Sequence, residues 1–174
     1  GDRSRAWEER FGEVTYGPLM SQAWERALAA TSISADDIDK LIVTGTHGRA
    51  VARNAKRLGV RDEAMVDDLS GSVGNTGTAH PLLVLTSVLE QASPGETIAV
   101  MTLADGVEVI VLRTTDAIAA AAPAMSTADQ IASGTTVSYG KFLSWRGMVS
   151  VEPPNRPLPN RPSASAAHRR DDWK

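Results

Sequence analysis

Apolar positions recur with helical spacing at Leu19, Met20, Ala23, Trp24, Ala27 and Leu28. This stripe predicts an amphipathic helix from about Pro18 to Thr31, with Pro18 in the first turn, where its missing N–H removes no helical bond. Ser34-Ala35-Asp36-Asp37 reads as an N-cap followed by acidic first-turn residues, opening a short turn of helix. Leu41 to Thr44 is apolar on consecutive positions, the pattern of a short strand buried on both faces. Arg49 to Leu58 is helical, with Ala50, Val51, Ala55 and Leu58 turned inward and Gly59 closing it, and Met65 to Asp67 can form a short strand. From Thr76 to Gln91 the apolar positions Leu82, Leu83, Val84, Leu85, Val88 and Leu89 run nearly all round, which predicts a buried central helix. Thr97 to Leu103 and Val107 to Thr114 are β-rich runs joined by Ala104-Asp105-Gly106, a hairpin. Two or three short helices then fill Asp116 to Gly147. The order of elements describes an α/β domain with a mixed sheet.

Composition narrows the class. The 174 residues suffice for one domain with a core of its own, and 42% hydrophobic with 22% charged residues is the balance of a globular protein. Eighteen Lys and Arg, dispersed and outnumbered by 21 Asp and Glu, argue against a nucleic-acid surface. No apolar run approaches the roughly 20 residues of a membrane helix, and no signal-peptide pattern is visible, so the cytoplasm is the expected compartment. With 0 cysteines and 3 histidines, neither disulfides nor thiolate metal sites are expected, and no metal or cofactor. From Glu152 to Pro162 five prolines fall within eleven residues, the composition of an extended linker or strap. The expected division is a half-domain over residues 1–115, a short helical extension over 116–150, and a Pro-rich linker or tail over 151–174.

The chemistry concentrates around two motifs. The strand Leu41-Ile42-Val43 delivers Thr44-Gly45-Thr46-His47, and Gly74-Asn75-Thr76-Gly77 opens the apolar helix. A His and an Asn at the ends of buried elements, each beside glycines, can converge two N–H donors on one point, as an oxyanion hole for acyl chemistry requires. The competing readings are plain: a His after a strand is often structural, and Asn before a helix is a natural cap. His80, beside Pro81 in the apolar helix, reads as a core or interface residue, and His168 as solvent-exposed. Asp67-Asp68 reads as a loop rather than a cation site, since no further ligands cluster with it. Trp7 and Trp24 are expected to pack on the core, and Trp145 on the body or a partner.

Taken in order, these elements resemble the C-terminal half of the thiolase superfamily, in particular β-ketoacyl-carrier-protein synthase III and hydroxymethylglutaryl-CoA synthase. The resemblance covers roughly Ala6 to Thr115 and implies a thiolase-like half-domain with a mixed β-sheet. It assigns His47 and Asn75 as the catalytic pair and makes Gly106, in the hairpin turn, a candidate for backbone contact with the acyl group. Two positions depart from the family pattern: Gly48-Arg49 follows the His, and the hairpin turn holds one glycine.

The resemblance also implies an activity and partners. The expected reaction is Claisen-type C–C bond formation on acyl-CoA or acyl-carrier-protein thioesters. The nucleophilic Cys would come from an N-terminal half preceding Gly1. Tyr139 to Trp145 and the Glu152-Pro153-Pro154 tail look like the connector to an OB-fold/zinc-ribbon domain, so the chain reads as cut at both ends. A homodimer is expected, as is association with further polypeptide. Two alternatives stand beside this one: a thiolase-like lyase cleaving C–C bonds of CoA thioesters with an OB-fold partner, and a non-catalytic thiolase-fold scaffold.

Overall fold

The structure is a computed structural model that describes residues 9–150 and 152, with residues 9 and 10 described by their backbone alone. Trp7, His168 and the Pro-rich segment beyond Glu152 lie outside the described residues. Helix α1 spans Glu9–Thr31, strand β1 Lys40–Gly45, helix α2 Gly48–Ala55, the single turn α3 Ser70–Val73, and helix α4 His80–Leu89. Strands β2 (Thr97–Ala104) and β3 (Gly106–Arg113) follow, then the short helices α5 (Thr127–Ala132) and α6 (Tyr139–Trp145). The sheet order is β1-β2-β3, with β1 parallel to β2 and β2 antiparallel to β3, the mixed sheet expected from the sequence.

Alternation along the strands sorts the core into two layers, because successive side chains leave a strand on opposite faces. Leu41 and Val43 of β1, with Ala99, Met101 and Leu103 of β2, pack with Met20 and Trp24 of α1 and Val51 and Ala55 of α2. Ile42, Ile98 and Val100 face the other way and pack with Val84 and Val88 of α4. The consecutive apolar residues of β1 are thus consumed on both faces. Trp24 is buried and donates from Nε1 to the Leu58 carbonyl at 2.9 Å, which fixes α1 to the segment after α2.

Three sequence expectations need correction. Helix α1 begins upstream of Pro18, which sits inside it rather than in its first turn. The lost N–H bond is outweighed by contacts from outside: Tyr16 donates from its hydroxyl to the Ala104 carbonyl at 2.6 Å, and Glu13 pairs with Arg53 of α2. Met65 makes one isolated bridge to Leu41 rather than a strand, although Val66 N–H does reach the Leu41 carbonyl at 3.0 Å. Finally, α4 is not buried all round. Only His80, Val84 and Val88 are buried, and Leu82 is 66% exposed, because the chain covers one face of this helix with its sheet and leaves much of the other open.

The first compact unit ends at Gly134. The segment after β3 therefore belongs with the sheet, and it is tied there by Glu90 at the end of α4. The Glu90 carboxylate accepts from Thr127 N–H at 2.9 Å and from Thr127 Oγ1 at 2.8 Å. The second unit begins at Thr135 and contains α6, where Ser138 Oγ accepts from Lys141 N–H, Tyr139 stacks on Phe142, and Lys141 Nζ lies 4.8 Å from the Trp145 ring centroid. Trp145 is largely exposed.

Candidate active site

The parallel pair β1–β2 ends at Gly45 and Leu103, and the chain leaves both strands at the same edge of the sheet. Gly45 is required there. A Cβ at this position would lie 2.9 Å from Leu103 Cβ and 3.2 Å from Val51 Cγ2, so only glycine lets the strand end pack this closely. Beyond it a cavity of about 210 Å³ is lined by Thr44 to Thr46, by Thr102 to Ala104, and by residues of the segment Asn75 to Pro81.

Asn75 is exposed at this cavity and is held by both ends of its amide. Nδ2 donates to the Gly45 carbonyl at 3.0 Å, and Oδ1 accepts from Gly77 N–H at 2.8 Å. The second Nδ2 proton is not needed for either bond and remains available to an oxygen in the cavity. The segment then turns through Gly77–Ala79 in 3₁₀ form before α4 begins at His80, four residues after the helix entry read from the sequence at Thr76.

His47 caps α2, its carbonyl accepting from Val51 N–H at 3.0 Å. Its half-buried ring lies on the α1 side, with its centroid 5.7 Å from that of Tyr16, and is not part of the cavity lining. Strand alternation accounts for this. Leu41 and Val43 face α1 and α2, Ile42 faces α4, and continuing the alternation puts Thr44 and Thr46 on the cavity side and His47 on the other. Helix α1 approaches so closely that a Cβ on Gly12 would sit 3.0 Å from His47 Nδ1. The two sequence-predicted residues therefore flank the tip of β1 from opposite sides.

Gly106 stands at the hairpin turn with φ of 131°, a conformation that favours glycine. It lines a neighbouring open groove that shares Thr102 and Ala104 with the cavity. Asp67 and Asp68 accept backbone N–H groups of Leu69 and Ser70, as turn residues do, and among the described residues no group of three His, Cys, Asp or Glu could hold a metal ion.

The structure adds residues that the sequence pattern did not single out for the site. Thr44 and His80 are both buried and both line the cavity, while Tyr16 ties α1 to Ala104 at its rim. The only signal for His80 in the sequence is a polar ring at the head of an otherwise apolar helix, five residues after Asn75.

Comparison with known proteins gives a consistent picture. Residues 28–113 match the family described as 3-oxoacyl-(acyl-carrier-protein) synthase III C terminal. The hydroxymethylglutaryl-CoA synthase of Aeropyrum pernix is 30% identical over 144 residues, which is 80% of this chain and 40% of that protein. The crystal structure of 3-oxoacyl-(acyl carrier protein) synthase III from Pseudomonas aeruginosa superposes with a TM-score of 0.57 at 22% identity, covering 67% of this chain and 39% of that one. A tetronic acid condensing enzyme superposes with a TM-score of 0.55 at 20% identity, over 65% of this chain and 38% of that one. At that identity the likeness of the two structures is one of fold. The chain spans about 40% of the length of the curated relative it matches.

Proposed function

The chain belongs to the thiolase superfamily, as a C-terminal half resembling 3-oxoacyl synthase III and hydroxymethylglutaryl-CoA synthase, and from this premise we propose that it supplies the oxyanion-binding side of a condensing enzyme acting on acyl thioesters. The observation that carries the reading is Asn75, fixed to the Gly45 carbonyl at the mouth of the cavity with one amide proton to spare.

In this reaction a Cys thiolate attacks a CoA or carrier-protein thioester, and the CoA or carrier thiolate leaves as the enzyme thioester forms. A second thioester that carries an α-carboxylate loses carbon dioxide to give an enolate, which attacks the enzyme-bound acyl carbon; a C–C bond forms and the Cys thiolate leaves. This chain contains 0 cysteines, so the nucleophile comes from an N-terminal half. Asn75 Nδ2 and His47 Nε2 donate to the thioester oxygen as negative charge grows on it, each worth on the order of 3 kcal/mol of transition-state stabilisation. In this structure the His47 ring rests against Tyr16 on the α1 side of β1, outside the cavity lining, and its role is carried by the resemblance alone. The open face of α4 around Leu82 is where further polypeptide packs, whether that half or a second copy. The OB-fold/zinc-ribbon domain joins through the segment after α6.

Two measurements test the proposal. The chain alone should show no thioester exchange with acetyl-CoA, whereas addition of a Cys-bearing N-terminal half should give condensation that His47→Ala and Asn75→Ala each lower by about 100- to 1,000-fold. Exchange by the isolated chain, or condensation indifferent to both substitutions, would remove the assignment.

A further inference from the structure

Tyr16 of α1 touches two parts of the site at once. Its ring centroid lies 5.7 Å from that of His47, with the two planes tilted by 43°. Its hydroxyl donates to the Ala104 carbonyl at 2.6 Å, a partner 88 positions away in the chain. Ala104 closes β2 and lines both the cavity and the groove that contains Gly106, whereas Tyr16 itself lines neither. Gly12, one turn earlier on the same face of α1, is buried against the same imidazole. A single side chain thus bridges the residue that follows β1 and the residue that ends β2.

The part of α1 that carries Tyr16 depends on such contacts. Gly17-Pro18 follows directly, and Pro18 has no N–H to give the Val14 carbonyl. Proline also disfavours helical backbone at the residue before it, so this is a weak joint in the helix. Downstream of the joint Met20 and Trp24 are buried in the core; upstream Phe11 and Val14 are exposed. The pair of Glu13 with Arg53 spans to α2, but its arginine is 62% exposed, and ion pairs in water hold weakly. The hydroxyl bond of the half-buried Tyr16 is the firmer tether.

We infer that Tyr16 is a positioning residue for His47. Fixed on Ala104 by its hydroxyl, the phenol ring forms one wall against the imidazole, so that His47 and the turn between β2 and β3 are set relative to each other. The chemical meaning of that placement rests on the function proposed above. Removing the hydroxyl alone leaves a phenyl ring of nearly the same volume with nothing to hold its tilt, and it frees the turn at the same time. His47 and the turn should therefore loosen together.

The test uses Tyr16→Phe and Tyr16→Leu in the 174-residue chain, with ¹⁵N in the backbone and in the 3 histidine rings. In Tyr16→Phe, amide exchange over residues 104–107 should quicken by about threefold to tenfold, the loss of one hydrogen bond. The His47 ring signals should move in the same variant, and further in Tyr16→Leu, while those of His80 stay. With a Cys-bearing N-terminal half supplied, Tyr16→Phe should lower kcat on the order of tenfold and leave KM within about twofold, since it misplaces a group without removing it. The same substitution made on top of His47→Ala should cost nothing further, because Tyr16 acts through that ring. His47 signals unmoved by Tyr16→Phe overturn the inference, as do equal losses of kcat with and without His47. Should Tyr16→Leu fail to fold, Tyr16→Phe decides alone. If the unsubstituted pair gives no condensation, the acyl-thioester reading fails, and the ring signals still decide whether Tyr16 positions His47.

Discussion

Asn75 and Gly45 lie thirty positions apart in the chain and are joined by a 3.0 Å hydrogen bond from the Asn75 amide to the Gly45 carbonyl. The bond fastens the loop before α4 to the end of β1, and it also sets the direction of the amide's second proton. A structural role and the proposed chemical one are therefore combined in one side chain, and substitutions can separate them. Asn75→Ala loses this bond and the one from Gly77 N–H, at a cost of about 1 kcal/mol because the residue is exposed. Asn75→Asp keeps the acceptor for Gly77 but sets a carboxylate against the Gly45 carbonyl. Hydrogen exchange over residues 74–79 should rise in both variants, and more in the second.

At Gly45 the prediction concerns space. Gly45→Ala drives a methyl to 2.9 Å from Leu103 Cβ, where two buried strands have little freedom to part. Urea denaturation should show a loss of about 1–3 kcal/mol with an unchanged slope.

Trp24 offers a test of the attachment of α1. Trp24→Phe keeps most of the apolar volume but leaves the Leu58 carbonyl without its indole donor, and stability should fall by about 1–3 kcal/mol. Trp24→Ala should cost more, about 3–5 kcal/mol, since it also opens a cavity between α1 and the sheet. Equal losses in the two variants would show that the packed volume of the ring contributes little beyond the hydrogen bond.

How much of this was legible in the sequence depended on whether the determinant was local. β1 could be read from Leu41 to Thr44 because both its faces are buried, and the hairpin from its β-rich runs around a glycine turn. The start of α1 was not legible, because Pro18 argues locally for a helix start while Tyr16 and Glu13 find partners far along the chain. The site was half legible. The glycine-flanked His and Asn mark the strand exit and helix entry, but which side of β1 the His47 ring takes follows from register, and the burial of Thr44 and His80 beside the cavity exists only once the chain has packed.

Acid titration reaches the turn between α1 and β1. Asp37 accepts from Ser34 N–H at 2.8 Å and from Ser34 Oγ at 2.7 Å, and these two bonds, the backbone one first, lower its pKa below the usual 3.8. A carboxyl depressed in the folded state adds stability above its unfolded pKa and loses it as the pH falls through the folded value. Carboxyl ¹³C shifts should place the Asp37 midpoint below 3.8, and Ser34→Ala, which removes the hydroxyl donor alone, should move it part of the way back.

Gly12 gives the His47 ring its position by omission. With a hydrogen where other residues carry a methyl, α1 can lie against the imidazole, so the ring's resting place is set by a neighbour that has no functional group at all. Position 12 is thus a mechanical control on His47: enlarging it by one carbon displaces the ring by tenths of an ångström while every charge, donor and acceptor around it is preserved. The contribution of imidazole placement can in this way be measured apart from that of imidazole chemistry, from a position on a helix that the sequence motif of the site does not include.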